Sequence, residues 1–185
     1  MMPTVYPRMK IRLRENYDVF VAEHPLKDSL NKKLLKEIEE VEFSNPKPTI
    51  VNAAMSDFRT HTRTMSFILE WIESLIRANY KLPHYEFGLE FYNSWYIKYE
   101  KGDKTNSHTH IPAAFSFVYY IQTPKGSSPM IFTHTGKRVK AEAGKAVIFP
   151  GNVYHHVPKN KCSGRIVLSG HVTAHFCSGN IFPYP

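Results

Sequence analysis

The spacing of hydrophobic and polar positions changes once, sharply, along this chain. From Asp28, Leu30, Leu34, Leu35, Ile38 and Val41 recur at helical spacing with lysine and glutamate between them. Asp28 or Ser29 can cap the start of that helix. The stretch SNPKPT, Ser44 to Thr49, breaks it. A second helix is predicted over about Met65 to Ala78, with Ile68, Trp71, Ile72, Leu75 and Ile76 on one face. KLPH, Lys81 to His84, ends it. Residues 1–27 read as irregular chain with at most a short strand. The two helices form a supporting layer and suggest no chemistry of their own.

After Glu86 the period falls from 3.6 to 2. Phe87, Leu89 and Phe91 alternate with Gly88, Glu90 and Tyr92, and Trp95, Ile97 and Tyr99 continue the odd-numbered face past Asn93. EKGDKTN, Glu100 to Asn106, reads as a turn. Further strands are predicted at about Phe115 to Gln122, Met130 to Thr133, Ala146 to Phe149 and Arg165 to His171, separated by TPKGSSP, TGKR, AEAG and PKNKCSG. Short strands at close spacing, with no helical pattern among them, predict an antiparallel sandwich or barrel. The expected architecture is mainly β: two N-terminal helices against a jelly-roll core. Residues 1–85 supply the support and 86–176 the core, in one domain spanning 1–185. No internal repeat or linker interrupts it.

Composition narrows the class. Hydrophobic residues make up 42% of the chain and aromatic residues 14%, enough for a sizeable core and unlike a disordered chain. No apolar run reaches the length of a membrane span, and the charged start MMPTVYPRMKIRLR lacks the apolar stretch of a signal peptide. The expectation is a soluble cytoplasmic protein. Cys162 and Cys177 are the only cysteines. They are too few for a disulfide framework or a four-thiolate zinc site, and are read as reduced thiols. The formal charge of +8 admits an anionic partner, nucleic acid included. The charge is spread over the chain, however, and its densest pieces, NKKLLK and PKNKCSGR, read as solvated surface.

The candidate chemistry lies in the histidines. His108 and His110 are two apart, and on extended chain such residues share a face, so both imidazoles can reach one cation. The chain has ten histidines, so the pair alone is weak evidence. A third ligand must come from a neighbouring strand. VIFPGNVYHHVP offers His155 and His156 about 45 residues further on, and only one of the two faces inward if the chain is extended there. Arg165 opens the apolar strand RIVLSG. An arginine beside such a strand is costly to bury without an anion, and a bound carboxylate would satisfy its guanidinium fork. The plainer reading keeps these as surface histidines with a solvated or ion-paired arginine.

In order along the chain stand Trp95, YEKGD (Tyr99 to Asp103), HTH (His108 to His110), SFVYYI (Ser116 to Ile121), GKAVIFP (Gly144 to Pro150), HHV (His155 to Val157) and RIVLSG (Arg165 to Gly170). This order and spacing, over roughly residues 86–171, resembles the iron(II)- and 2-oxoglutarate-dependent oxygenases. The likeness is to a compact branch common in bacteria and tailed phages, including those of marine cyanobacteria. The resemblance implies a double-stranded β-helix (a cupin-like jelly roll) in the cytoplasm of a bacterium or a phage-infected host. It implies Fe(II) on His108, His110 and His155, with His156 as the second choice for the distal ligand. It implies Arg165 on the distal carboxylate of 2-oxoglutarate, with Tyr120 as a hydroxyl partner and Tyr99 lining the same pocket. The implied reaction uses O2 and decarboxylates 2-oxoglutarate to succinate while hydroxylating an unreactive C–H bond.

The sequence departs from the wider superfamily at His110, where a carboxylate is usual. A neutral imidazole leaves the site one unit more positive. Asp103 is the alternative carboxylate, although it lies ahead of the turn. His171 stands where related sequences often carry asparagine. Trp95, His134, His156 and His171 are candidates for the substrate pocket. HVTAH, His171 to His175, has the i, i+4 spacing of a zinc helix but lacks its glutamate and follows a strand. FRTHTR, Phe58 to Arg63, reads as a polar loop. Two other functions remain at this stage. One is a three-histidine cupin-like metal enzyme that does not use 2-oxoglutarate, and the other is a non-enzymatic jelly-roll binding protein. Substrate and oligomeric state are not legible in the sequence.

Overall fold

Strands occupy most of the chain beyond the second helix, and two antiparallel sheets result. A computed structural model describes residues 17–45, 49–82 and 87–176. Its elements are β1 (Phe20–Glu23), α1 (Lys27–Glu39), β2 (Val51–Asn52), β3 (Ala54–Met55), α2 (Arg63–Tyr80), β4 (Phe87–Tyr99), β5 (Lys104–His108), β6 (Phe115–Gln122), β7 (Met130–Phe132), β8 (Arg138–Val139), β9 (Lys145–Pro150), β10 (His155–Val157) and β11 (Arg165–Phe176). The larger sheet has the order β1-β9-β6-β11-β4-β3 and the smaller β2-β5-β10-β7-β8. This is the predicted jelly roll with two supporting helices.

Period-2 alternation sorts the core into two layers. On β4, Trp95, Ile97 and Tyr99 pack between the sheets with Val51, Met130, Phe132 and Phe149. Tyr96 points the other way and joins Leu34, Ile38, Met65, Ile68, Ile72 and Ile76 of the helices. The run FSFVYYIQ is apolar on both faces because β6 lies between these layers. Phe117, Tyr119 and Ile121 meet the helices, while Tyr120 faces the inter-sheet core. Each fully buried side chain of this size stabilises by about 1.5–3 kcal/mol. The helices therefore hold the outer face of the sheet that carries β11 and β4, the strands bearing Arg165 and Trp95.

Two expectations need correction. The predicted turn Glu100 to Asn106 is shorter, because β5 begins at Lys104. Thr105 pairs with both Val51 and Val157, and the tight turn is closed by Asp103 Oδ2 accepting the Glu100 amide at 2.8 Å. KTNSH has no apolar alternation, so ladder pairing makes this strand, not hydrophobic period. The second helix starts two residues earlier than predicted, at Arg63, and runs to Tyr80. HVTAH is the end of β11, so its histidines are not on a helix. Cys162 is a free thiol. Cys177, His84 and the N-terminal segment MMPTVYPRMKIRLR lie outside the described residues. No helix among the described residues is long and apolar enough to cross a membrane.

The start of α2 is capped from outside. Thr62 makes no side-chain capping bond, and the first turn holds no acidic residue. Glu37 of α1 fills the role: Oε1 and Oε2 accept the Thr64 amide at 3.1 and 3.0 Å, and Oε1 accepts the Thr64 hydroxyl at 2.5 Å. Burial pushes the Glu37 pKa up, but the bonds from Thr62 and Thr64 and the Arg63 charge outweigh it and hold the pKa below the ordinary 4.5. A depressed carboxylate contributes stability above its unfolded pKa and loses it as pH falls through the folded value. Glu37→Ala is expected to cost about 1 kcal/mol at pH 7, or roughly 2–4 °C in Tm. Melting curves across pH check this, and the gap to wild type should close as pH drops below 4.5.

Candidate metal centre

Cross-strand register closes the distance between the two histidine motifs. β10 pairs with β5 so that His155 stands opposite His108, and with β7 so that it also faces Phe132. His110 lies just past β5, where its amide donates to Gly151 O at 2.7 Å and its carbonyl accepts the Ala113 amide at 2.8 Å. Residue 151 has to be glycine for this loop to close, because a Cβ there would collide with the carbonyl of Ala113. One ring nitrogen from each of His108, His110 and His155 falls within 4.8 Å of the others. The Nε2 atoms of His110 and His155 are 3.2 Å apart.

The second nitrogen of each ring fixes what the first presents. His108 Nδ1 lies 2.8 Å from Asn106 O, and His155 Nδ1 lies 3.0 Å from Val153 O. Carbonyls only accept, so each Nδ1 carries hydrogen and each Nε2 offers a lone pair. His155 is 4% exposed and sits against Phe149, with ring centroids 4.6 Å apart. Burial, then the nearby His108, lowers its pKa to about 3. It is therefore neutral at ordinary pH, the form that binds metal. His156 faces away, with Nδ1 3.0 Å from Thr133 Oγ1. Of the two adjacent histidines, the structure brings only His155 to the cluster. Asp103 remains in its turn and is not part of the cluster.

Arg165 stands across a narrow cavity of about 40 Å³ from the histidines. It is 1% exposed, Nε and Nη1 have no hydrogen-bond partner, and no ion pair among the described residues includes it. The guanidinium lies 4.3 Å from the ring centre of Tyr99 and 5.5 Å from that of Tyr120. Tyr99 is held by a 2.7 Å bond between its hydroxyl and that of Thr105. The buried Tyr120 hydroxyl has no partner. Burial raises its pKa against the opposing pull of Arg165, so it stays a neutral donor. Leaving a guanidinium buried without an anion costs several kcal/mol. The donors here match a carboxylate and the three imidazoles match a divalent cation, so the residues fit both groups.

The remaining candidates divide. Trp95 and His171 line a second cavity of about 200 Å³ that opens beside His108 and His110. His134 does not. It is exposed on another groove and stacks on Tyr154 at 5.0 Å. His156 is likewise absent from both cavities at the cluster, so neither residue supports the expected pocket role. Sequence reasoning missed Val167 and Ser169, which line the Arg165 cavity. The signal was present: Arg165, Val167, Ser169 and His171 share one face of β11 at period 2. It also missed Thr105, hidden in what read as a turn.

No protein-family model matches this sequence, and no curated protein matches it. Solved structures do. A prolyl-4-hydroxylase from Pseudomonas putida superposes with a TM-score of 0.67 at 19% identity, over 85% of this chain and 92% of that one. The viral collagen prolyl hydroxylase of Paramecium Bursaria Chlorella virus-1, in its 2-oxoglutarate complex, gives 0.66 at 13% identity, over 83% and 94%. HygX from Streptomyces hygroscopicus, with nickel and 2-oxoglutarate bound, gives 0.64 at 9%, over 84% and 82%. At these identities the likeness is one of fold, and the chain has the double-stranded β-helix fold of the 2-oxoglutarate oxygenases.

Proposed function

We propose that this chain is an Fe(II)- and 2-oxoglutarate-dependent oxygenase that hydroxylates an uncharged, largely apolar group. One observation carries the reading: a buried guanidinium with unpartnered N–H groups lies across one cavity from three converging imidazoles. In this reading His108, His110 and His155 hold the metal. Arg165 takes the distal carboxylate of 2-oxoglutarate, and the Tyr120 hydroxyl adds a donor. Bound iron with its cosubstrate supplies oxygen activation, coupled to decarboxylation of 2-oxoglutarate to succinate. The chain's own residues orient and enclose. Val51, Ile97, Met130, Val157 and Val167 wall the cavity, keeping water from the guanidinium and strengthening its hold on an anion.

The lining of the second cavity supports this substrate class. Ile50, Met55, Phe58, Tyr92, Trp95 and Ile111 line it, and among the described residues no lysine, arginine, aspartate or glutamate does. Among the described residues the charged side chains stand away from this lining, which favours an uncharged group beside the histidines. Arg165 also separates this reading from a three-histidine enzyme that ignores 2-oxoglutarate, which would gain nothing from a buried guanidinium. The test is turnover by the purified protein under O2 with Fe(II) and 2-oxoglutarate. Succinate should form in proportion to 2-oxoglutarate consumed, and Ni(II) should suppress it. Metal binding without any 2-oxoglutarate binding would overturn the proposal in favour of the three-histidine alternative.

A further inference from the structure

The three candidate ligands are not held alike. His108 and His155 each donate Nδ1–H to a carbonyl two residues earlier in the chain, Asn106 O and Val153 O. Those partners are backbone, and no side-chain substitution removes them. His110 Nδ1 lies 2.6 Å from Nε2 of His171, 61 residues later on β11. If His110 ligates through Nε2, its Nδ1 carries the hydrogen and His171 Nε2 accepts it.

His171 is placed for this task by three features. It continues the inward face of β11 that begins at Arg165, and the ladder to β4 shifts register between His171 and Val172. Such a bulge re-aims a side chain. Its ring is packed edge-on to Trp95 at 4.8 Å and tilted against Tyr92 at 5.5 Å. The 2.6 Å contact thus joins a ligand on a loop to a ring held by a strand and two aromatics.

We propose that His171 is the positioning residue for His110: it accepts Nδ1–H, fixes the ring tautomer and turns Nε2 toward the metal. This rests on the metal-site reading above. The position usually filled by a carboxylate ligand is filled here by a histidine on the loop after β5, backed by a histidine of β11. A partner of this kind, when removed, lowers metal affinity about 10–100-fold.

The experiment is Co(II) titration by calorimetry, anaerobically and without 2-oxoglutarate, on wild type, His171→Leu, His171→Asn and His171→Gln. Apo melting curves confirm that each variant is folded. Gln can place an acceptor where His171 Nε2 lies, while Asn is one methylene too short. Leu and Asn are expected to raise Kd about 10–100-fold, with Gln within about threefold of wild type. Equal affinity for wild type and Leu overturns the proposal, and so does a Gln variant as weak as a folded Leu or Asn variant. A wild-type protein that binds no Co(II) sinks the metal-site reading itself, which separates the two failures.

Discussion

Arg165→Met is expected to melt no lower than wild type in the absence of ligand and to bind 2-oxoglutarate far more weakly. Both halves follow from the same burial. In the ligand-free chain the guanidinium is 1% exposed with Nε and Nη1 unpartnered, so a group that water would solvate is held away from it. An apolar side chain of similar length removes that cost, as when buried ionic groups are replaced by well-packed hydrophobic ones. The neighbours suit methionine, since Val167, Met130 and the rings of Tyr99 and Tyr120 already surround the position. With ligand the sign reverses. Removing one partner of a buried charge pair costs about 2–5 kcal/mol, or roughly 30- to several-thousand-fold in Kd. Melting with and without cosubstrate reads both effects. Metal-loaded wild type at one hundred times Kd of 2-oxoglutarate gains about 2.7 kcal/mol, roughly 5–11 °C, while the variant at the same concentration gains less than about 1 kcal/mol. If the variant melts far below wild type without ligand, Arg165 is structural and its cosubstrate role falls.

What could be read in advance follows from how local the determinants are. Both helices and the long strands announce themselves by period, because their apolar faces are built from neighbours in sequence: Ile68, Ile72 and Ile76 on α2, and Trp95, Ile97 and Tyr99 on β4. β2, β3 and β8 have two residues each, and β5 is polar, so they exist through pairing with distant chain and leave no period to read. The cluster divides along the same line. His108 and His110 are neighbours in sequence, and motif order singled out His155. That it faces inward beside His108 depends on the β5–β10 register. The His110–His171 contact depends on a bulge, a loop and a strand far apart in sequence, and no spacing announces it. His134 lies on another groove, and a histidine at a strand end carries no mark of which side the strand turns.

His155→Ala is expected to abolish turnover and raise the Kd for Co(II) by more than about 100-fold, beyond the 10–100-fold range of an outer partner. Of the three histidines it is the most deeply buried, and its ring lies against Phe149. His108 and His110 would remain as a two-point site, with only a fraction of the original hold on the ion. Asp103→Ala is the matched control. Asp103 closes the turn before β5 by accepting the Glu100 amide and takes no part in the cluster. It should lower stability slightly through that turn while leaving Kd for Co(II) near wild type. The two ligand sets the sequence allowed both keep His155 and differ in whether His110 or Asp103 completes them, so Asp103→Ala decides between them while His155→Ala tests what they share. If Asp103→Ala loses the metal and His155→Ala keeps it, the cation sits on a carboxylate set outside this cavity. The guanidinium of Arg165 would then face no metal, and the geometric case for 2-oxoglutarate would go with it. If His155→Ala alone loses the metal, the ion lies where three imidazoles meet, within reach of an acid gripped by Arg165.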